Sequence, residues 1–366
     1  MFRAPPLPRT LEAAFRDLGA EKPADRAASL RDLVAYAGDD GGSAPQPPGV
    51  RDRVIRALQK ALRDDAASSV RAVAATALAD AAAREALPDL LLAVEDDDPL
   101  VRQMAIAALG ELGDPRATER LRRALADERA EVRFQAVMAF PRVSASAEAS
   151  LEALLHATHD DDAFVCHIAL RMTEEVRAGG PLDARVEARA RALLDHASIE
   201  VRVASAVLLA PQKPQPDPRP ARILVEVARG ELRTRDREDE AAAVELCGEL
   251  GLTAAQPGLE RRAFGGLLGL RKDPLAWHAR VALASLGHER ACRDILRELG
   301  ARDRDVCTLA VAAAGRARLA AAREPILALR GAEGRADPHA VDEALAALAE
   351  TGQHGGHPRP PGPATS

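Results

Sequence analysis

Apolar residues recur three and four positions apart along most of the chain, the spacing that lays a stripe of side chains along one face of a helix. The runs are alike. An acidic turn, a valine, usually an arginine, then alanines and leucines give SSVRAVAATALAD at Val70, PLVRQMAIAALGELGD at Val101, AEVRFQAVMAF at Val132, AFVCHIALRM at Val165 and IEVRVASAVLLA at Val201, with successive valines 31, 31, 33 and 36 residues apart. A looser continuation follows as DEAAAVELCGELG near Ala241, DPLAWHARVALASLG from Asp273, RDVCTLAVAAAG around Val306 and ADPHAVDEALAALAE from Ala336. Between these runs lie second helical patterns such as ALPDLLLAVE, RATERLRRALAD, SLEALLHAT, ARILVEVARG and EPILALRG. Each unit is therefore a helix A, a tight acidic turn and a helix B. The chain is expected to be an all-α solenoid of about ten stacked helical hairpins, the first near Leu11 to Ala37 and the last ending near Glu350.

The turns carry the chemistry that starts and stops helices. Asp96 to Asp98, Asp127, Asp160 to Asp162 and Asp303 precede helix B, where a carboxylate accepts from free backbone N–H groups and meets the positive end of the helix dipole. Pro99, Pro274 and Pro338 stand at first-turn positions, and Gly113, Gly287 and Gly315 are expected to end their helices. The pattern divides the chain into an N-terminal capping hairpin (1–40), a Pro/Gly loop (41–49), regular repeats (50–210), a Pro-rich loop (211–221), degenerate repeats (222–350) and a disordered tail (351–366).

Composition sharpens this reading. Of 366 residues 47% are apolar but only 2% aromatic, because alanine and leucine supply most of the total, and such side chains suit close helix packing. Fifty basic against fifty-six acidic residues leave a net charge of -6 with the signs interspersed, which does not suggest a phosphate-binding field. Cys166, Cys247, Cys292 and Cys307 lie far apart in apolar runs, as packing residues of a reducing compartment would. No stretch has the length of a signal peptide or a membrane span, so a soluble cytoplasmic protein is expected.

The unit VRQMAIAALGELGDPRATERLRRALAD resembles the HEAT repeat, in particular the bacterial subtype called PBS-lyase HEAT-like, over residues 50–210 and more loosely over 236–350. The resemblance implies a right-handed superhelix with B helices on its concave face. It also implies that the arginine after the valine pairs with the turn acid of a neighbouring unit, a structural ladder of Arg71, Arg102, Arg133 and Arg202 that Cys166 interrupts.

With each valine as position zero, positions 4, 7, 8 and 11 share its side of the helix and positions 2, 6 and 9 lie opposite. The first set in the Val101 unit is Ala105, Ala108, Leu109 and Leu112, all apolar and expected in the core. The second set is expected on the concave face and contains Phe134, Met138, His167, Arg171 and, by approximate alignment, Trp277, the candidate protein-contact residues. The competing reading of Trp277, Phe134 and Met138 is core or groove packing.

Catalytic and cofactor sites find little support. HATHDDDAFVCH, with His156, His159, Cys166 and His167, has metal-binding residue types, but its acids fall where Asp96 to Asp98 fall without histidines, which assigns them to the turn. His288-Glu289 resembles the dipeptide of deoxyhypusine hydroxylase, a HEAT-repeat di-iron enzyme, yet that family repeats the pair and here it occurs once. AFGGLLGLRK lacks the ending of a phosphate loop, and the arginine-rich 229–238 stretch carries acids among its bases. No nucleophile and base appear at a recognisable spacing. The expectation is a non-catalytic scaffold or adaptor, without metal or cofactor, that binds a protein partner on the concave face. The alternatives are a phycobilin lyase-like subunit, from the name of the repeat, and a nucleic-acid binder resembling the HEAT-like alkylpurine DNA glycosylases, whose basic concave face is missing here.

Overall fold

The computed structural model describes residues 9–37, 48–177, 180–213, 216–265, 273–332 and 334–353, with the side chains from 350 on left aside. Among them every regular element is helical. Ten hairpins pair an A helix with a B helix. The first five are α1 (Leu11–Asp17) with α2 (Pro23–Val34), α3 (Val50–Asp64) with α4 (Ser68–Asp80), α5 (Leu87–Ala93) with α6 (Pro99–Leu112), α7 (Thr118–Ala124) with α8 (Ala130–Val143), and α9 (Ala147–Ala157) with α10 (Ala163–Arg177). The other five are α11 (Ala184–Leu193) with α12 (Ile199–Leu209), α13 (Arg219–Arg229) with α14 (Arg237–Glu249), α15 (Gln256–Phe264) with α16 (Ala276–Ser285), α17 (Glu289–Glu298) with α18 (Arg304–Arg316), and α19 (Arg323–Leu329) with α20 (Pro338–Gln353). The chain divides into two compact units, Met1–Arg189 and Ala190–Ser366.

The helices begin where the sequence places caps. Asp98 accepts from the amide of Leu100 ahead of Pro99, and Asp303 accepts from Asp305 and Val306. Gly113 closes α6 in the left-handed conformation, with φ 63°. Proline at the start of a helix gives up no hydrogen bond, which lets one helix begin ahead of its expected boundary. α13 starts inside the segment 211–221, with Pro220 in its first turn, and Pro274 lies just ahead of α16. α20 continues to Gln353, into the segment expected to be tail; the remainder of that tail lies outside the described residues, as do 38–47 and all of the glycine cluster beyond Gly265.

The core of the first unit is largely aliphatic and falls into two clusters, one running from Ala14 to Val143 and a smaller one of Val137, Leu154, Ala157, Val165, Ala169 and Met172. Ala105, Ala108, Leu109 and Leu112 of α6 are buried, joined by Ile106 and Val101. Neighbouring B helices pack against each other more closely than neighbouring A helices do, which makes the B side the inner side of each unit. Small residues permit it. A Cβ added at Gly110 would lie 2.7 Å from the Cβ of Ala139, one at Gly248 2.6 Å from the Cα of Ala282, and one at Gly315 2.7 Å from the Cα of Ala344. Gly315 therefore does not end α18; it sits inside that helix as a contact point for α20.

Candidate functional site

Four arginines of successive B helices build a ladder through the first unit. Arg26 reaches Asp65 at 2.7 and 2.8 Å, Arg71 reaches Asp96 at 2.8 Å twice, Arg102 reaches Asp127 at 2.8 and 3.0 Å, and Arg133 reaches Asp160 at 2.7 Å twice. Each guanidinium also donates to a carbonyl of its own turn, Ala20, Asp65, Asp96 or Asp127, at 2.9 to 3.0 Å. Each acid in turn accepts a backbone N–H two residues on. The hydrogen bond from Arg26 holds the Asp65 carboxyl below its ordinary range. At Asp96, Asp127 and Asp160 burial pushes the carboxyl up, and the arginine and backbone donors outweigh it, so these too sit low.

The Arg26 rung was not read from the sequence because Asp25 stands where the other units carry valine. A signal was present: Arg26 follows Pro23 by three residues, as Arg102 follows Pro99.

After Asp160 the ladder stops. Cys166 occupies the arginine position, and its thiol donates to the Thr158 carbonyl at 3.2 Å, which also accepts from Arg189 of α11 at 2.7 Å. At the next acid position His196 caps the turn through Nδ1, accepting from Ser198 at 3.1 Å. Arg202 has the arginine position of α12, but Thr234 stands at the corresponding acid position and the Nε of Arg202 is buried without a hydrogen-bond partner. Cys307 repeats the cysteine solution: its thiol donates to Leu299 at 3.2 Å while Arg335 reaches the nearby Ala301 carbonyl at 3.1 Å. Burial pushes the Cys166 thiol up to about 11, which makes it a packing group and not a nucleophile.

The inner face of the first unit holds a groove of about 420 Å³ across α2, α4 and α6. Val73, Thr76, Leu100 and Met104 line it, together with the charged Arg31 and Asp80. Leu100 and Phe164 share a repeat position, one residue before the core valine, and both are exposed, at 45% and 51%. Phe134 is half-buried against the cluster of Val137, Leu154 and Val165, and Met138 and Arg171 are also half-buried. His167 is buried at 8% exposure and does not offer a contact surface, because residues Val165 to His167 of α10 all pack inward. The face is rotated from the expected columns: position 9 is the buried helix contact of Gly110, whereas position 3 opens into the groove at Val73 and Met104 and is exposed at Leu309 of the second unit. Val203 and Val207, at positions 2 and 6 of their helix and so in the set expected opposite the core, are buried, as is Val281 of α16.

In the second unit three successive B helices meet at Trp277. Its indole Nε1 donates to the Leu309 carbonyl at 3.3 Å, and the Arg316 guanidinium lies 5.2 Å from the ring centre. Glu245 of α14 takes His278 Nδ1 at 2.5 Å and Arg316 at 3.0 and 3.1 Å, so one carboxylate ties α14, α16 and α18 together. Burial pushes that carboxyl up, but the hydrogen bond from His278 and the charge of Arg316 leave it below its ordinary value. Glu249, one turn on, is held above its ordinary range, first by the crowding of protein around it and then by the charge of Glu245, although the residue still reaches solvent. Of this cluster only Trp277 was legible in advance, since nothing in sequence spacing relates Glu245 to Arg316, 71 residues away.

The histidine segments serve local structure. Asp160 belongs to the ladder and Asp162 caps α10 through Phe164 at 2.8 Å, while His288 caps α17 and lies 3.3 Å from Glu260. Among the described residues no group of three or more His, Cys, Asp or Glu is placed to hold a metal ion, and no helix is long and apolar enough to cross a membrane.

Paired helices, small residues between B helices and a repeated Arg–Asp rung define a helical-repeat protein. Comparison with known families makes this specific: residues 55–141 match the model of HEAT repeats. Among solved structures the E. coli protein YibA is similar at 17% identity and TM-score 0.53, covering 77% of this chain and 93% of its own. Kap95p, solved in a study of its binding to RanGDP, is similar at 13% identity and TM-score 0.50, covering 93% of this chain and 51% of its own. Both likenesses are of fold. The CpcE–CpcF complex of phycocyanin lyase from Nostoc sp. PCC7120 aligns over 95% of this chain at 18% identity, but its TM-score of 0.29 carries no argument for the lyase alternative. A search of curated proteins finds no match.

Proposed function

We propose that the chain is a non-catalytic scaffold or adaptor of the cytoplasm that holds a partner protein on the inner, B-helix face of its repeats. The observation that carries this reading is where large apolar side chains meet water. Of the five that do so among the described residues, Leu100, Phe164, Val306 and Leu309 are on B helices and only Leu92 is on an A helix. Leu309 adjoins Trp277, and Leu100 adjoins Met104 in the groove. Grouped exposed apolar side chains gain from burial against a partner, whereas scattered ones need no explanation. The cysteines fit a reducing compartment, since all four are free and three are buried.

The test is capture from native cytosol by the full chain, compared with Leu100→Asp and Leu309→Asp variants that melt as the wild type does. One protein retained by the wild type and lost by a variant supports the reading. Retention unaffected by both variants, or no protein retained at all, sinks it.

A further inference from the structure

We propose that the groove across α2, α4 and α6 is the docking site of a basic, amphipathic peptide segment of a partner protein, with its apolar side chains against Val73, Leu100 and Met104 and a lysine or arginine at Asp80. The inference rests on the scaffold reading and specifies the partner's chemistry. Its first support is the groove itself, about 420 Å³ in volume and largely apolar in its lining, room for two or three aliphatic side chains.

The second support is charge placed against the local field. The carboxyl-terminal end of a helix is its negative end, where cations are stabilising and anions are not. Asp80 is the last residue of α4 and Glu111 the next to last of α6, and neither helix has a basic residue in its last turn. Both acids are exposed and neither has a salt-bridge partner among the described residues. The ladder acids on the other end of these hairpins are by contrast each saturated by an arginine and a backbone donor. An acid that neither caps, pairs nor complements a dipole is left available to an incoming cation. Arg31, exposed on α2 and also lining the groove, supplies a charge of the other sign that orients the segment by donating to a carboxylate or carbonyl of it.

The experiment selects from a displayed library of random twelve-residue peptides on the immobilised full-length protein and measures the enriched peptides by fluorescence anisotropy at low and high salt. The expected peptides carry two or more aliphatic residues next to lysine or arginine, and bind at least ten-fold more weakly to Asp80→Lys and to Met104→Glu. Asp80→Lys places a cation at a helix carboxyl terminus, so it should melt at or above the wild-type temperature, which separates lost binding from lost folding. Enrichment of acidic or uncharged peptides, affinities unchanged in Asp80→Lys, or no enrichment overturns the proposal. If the same variants still capture the cytosolic partner that Leu309→Asp loses, the scaffold reading survives while this groove does not.

Discussion

Replacing Gly110 by alanine tests the packing between B helices most directly. In an open helix interior the change stabilises by about 1 kcal/mol, since alanine is the better helix former. Gly110 is not in an open interior. The new methyl would lie 2.7 Å from the Cβ of Ala139 with the Cα of that residue 3.1 Å away behind it, so α6 and α8 must separate by roughly 1 Å from their present contact. Overpacking of a close-packed core costs about 1 to 3 kcal/mol, and with backbone behind the side chain the upper end applies. The net expectation is a loss of about 2 kcal/mol, or roughly 4 to 8 °C in melting temperature for a unit of this size. Gly110→Ala with Ala139→Gly moves the methyl from one helix to the other, and should recover at least about 1 kcal/mol relative to the sum of the single changes. Circular dichroism melts and urea titrations of the four proteins measure it. A Gly110→Ala protein that melts higher than wild type, or strictly additive changes, would refute the close contact.

Three further outcomes are expected. Leu109→Ala should cost about 2 to 5 kcal/mol in urea unfolding, whereas half-exposed Gln103→Ala should stay within about 0.5. The ladder acids have lowered carboxyl pKa values in the folded state, so they stabilise above the ordinary carboxylate range and the contribution is lost as pH falls through the folded values. Melting temperature should therefore fall steeply below about pH 4, less steeply in Arg71→Met with Arg102→Met; equal slopes would contradict the ladder's role. Glu245 follows the same sign, so its tie to His278 and Arg316 weakens under acid, and the emission of the lone tryptophan, Trp277, should shift with it. In Glu245→Gln that acid-dependent shift should be absent; its persistence would place the titrating group elsewhere.

The architecture was legible because it is written many times over. Each B helix repeats the same apolar phase, so an error in one unit is outvoted by the others, and the burial of Ala105, Ala108 and Leu109 follows from spacing alone. The face was less legible. Glycine at position 9 reads as neither apolar nor polar, and its role as a contact for Ala139 emerges only when two helices are placed side by side. His167 was expected to be open from its place opposite the core valine, yet its own stretch of α10 packs inward, and Ala72 and Val203 of the same column are buried as well. The ladder's later units were hidden for another reason: Cys166 and His196 each look like local degeneracy, although an arginine position that has lost its cation needs no carboxylate at the next turn.

The confinement of the rungs to the stretch from Arg26 to Asp160 bears on how the chain comes apart. In a stack where each hairpin packs mainly against its neighbours, cooperativity is close to a sum of nearest-neighbour couplings, and every rung adds to one of them. Hairpins joined by rungs should open together, and those held by packing and single ties such as Glu245 should open piecemeal. Amide exchange would then show a shared, high opening free energy for α2 to α8 and a graded series from α12 onward. The substitutions at Cys166, His196 and Thr234 thus trade uniform rigidity for a chain whose two ends differ in compliance.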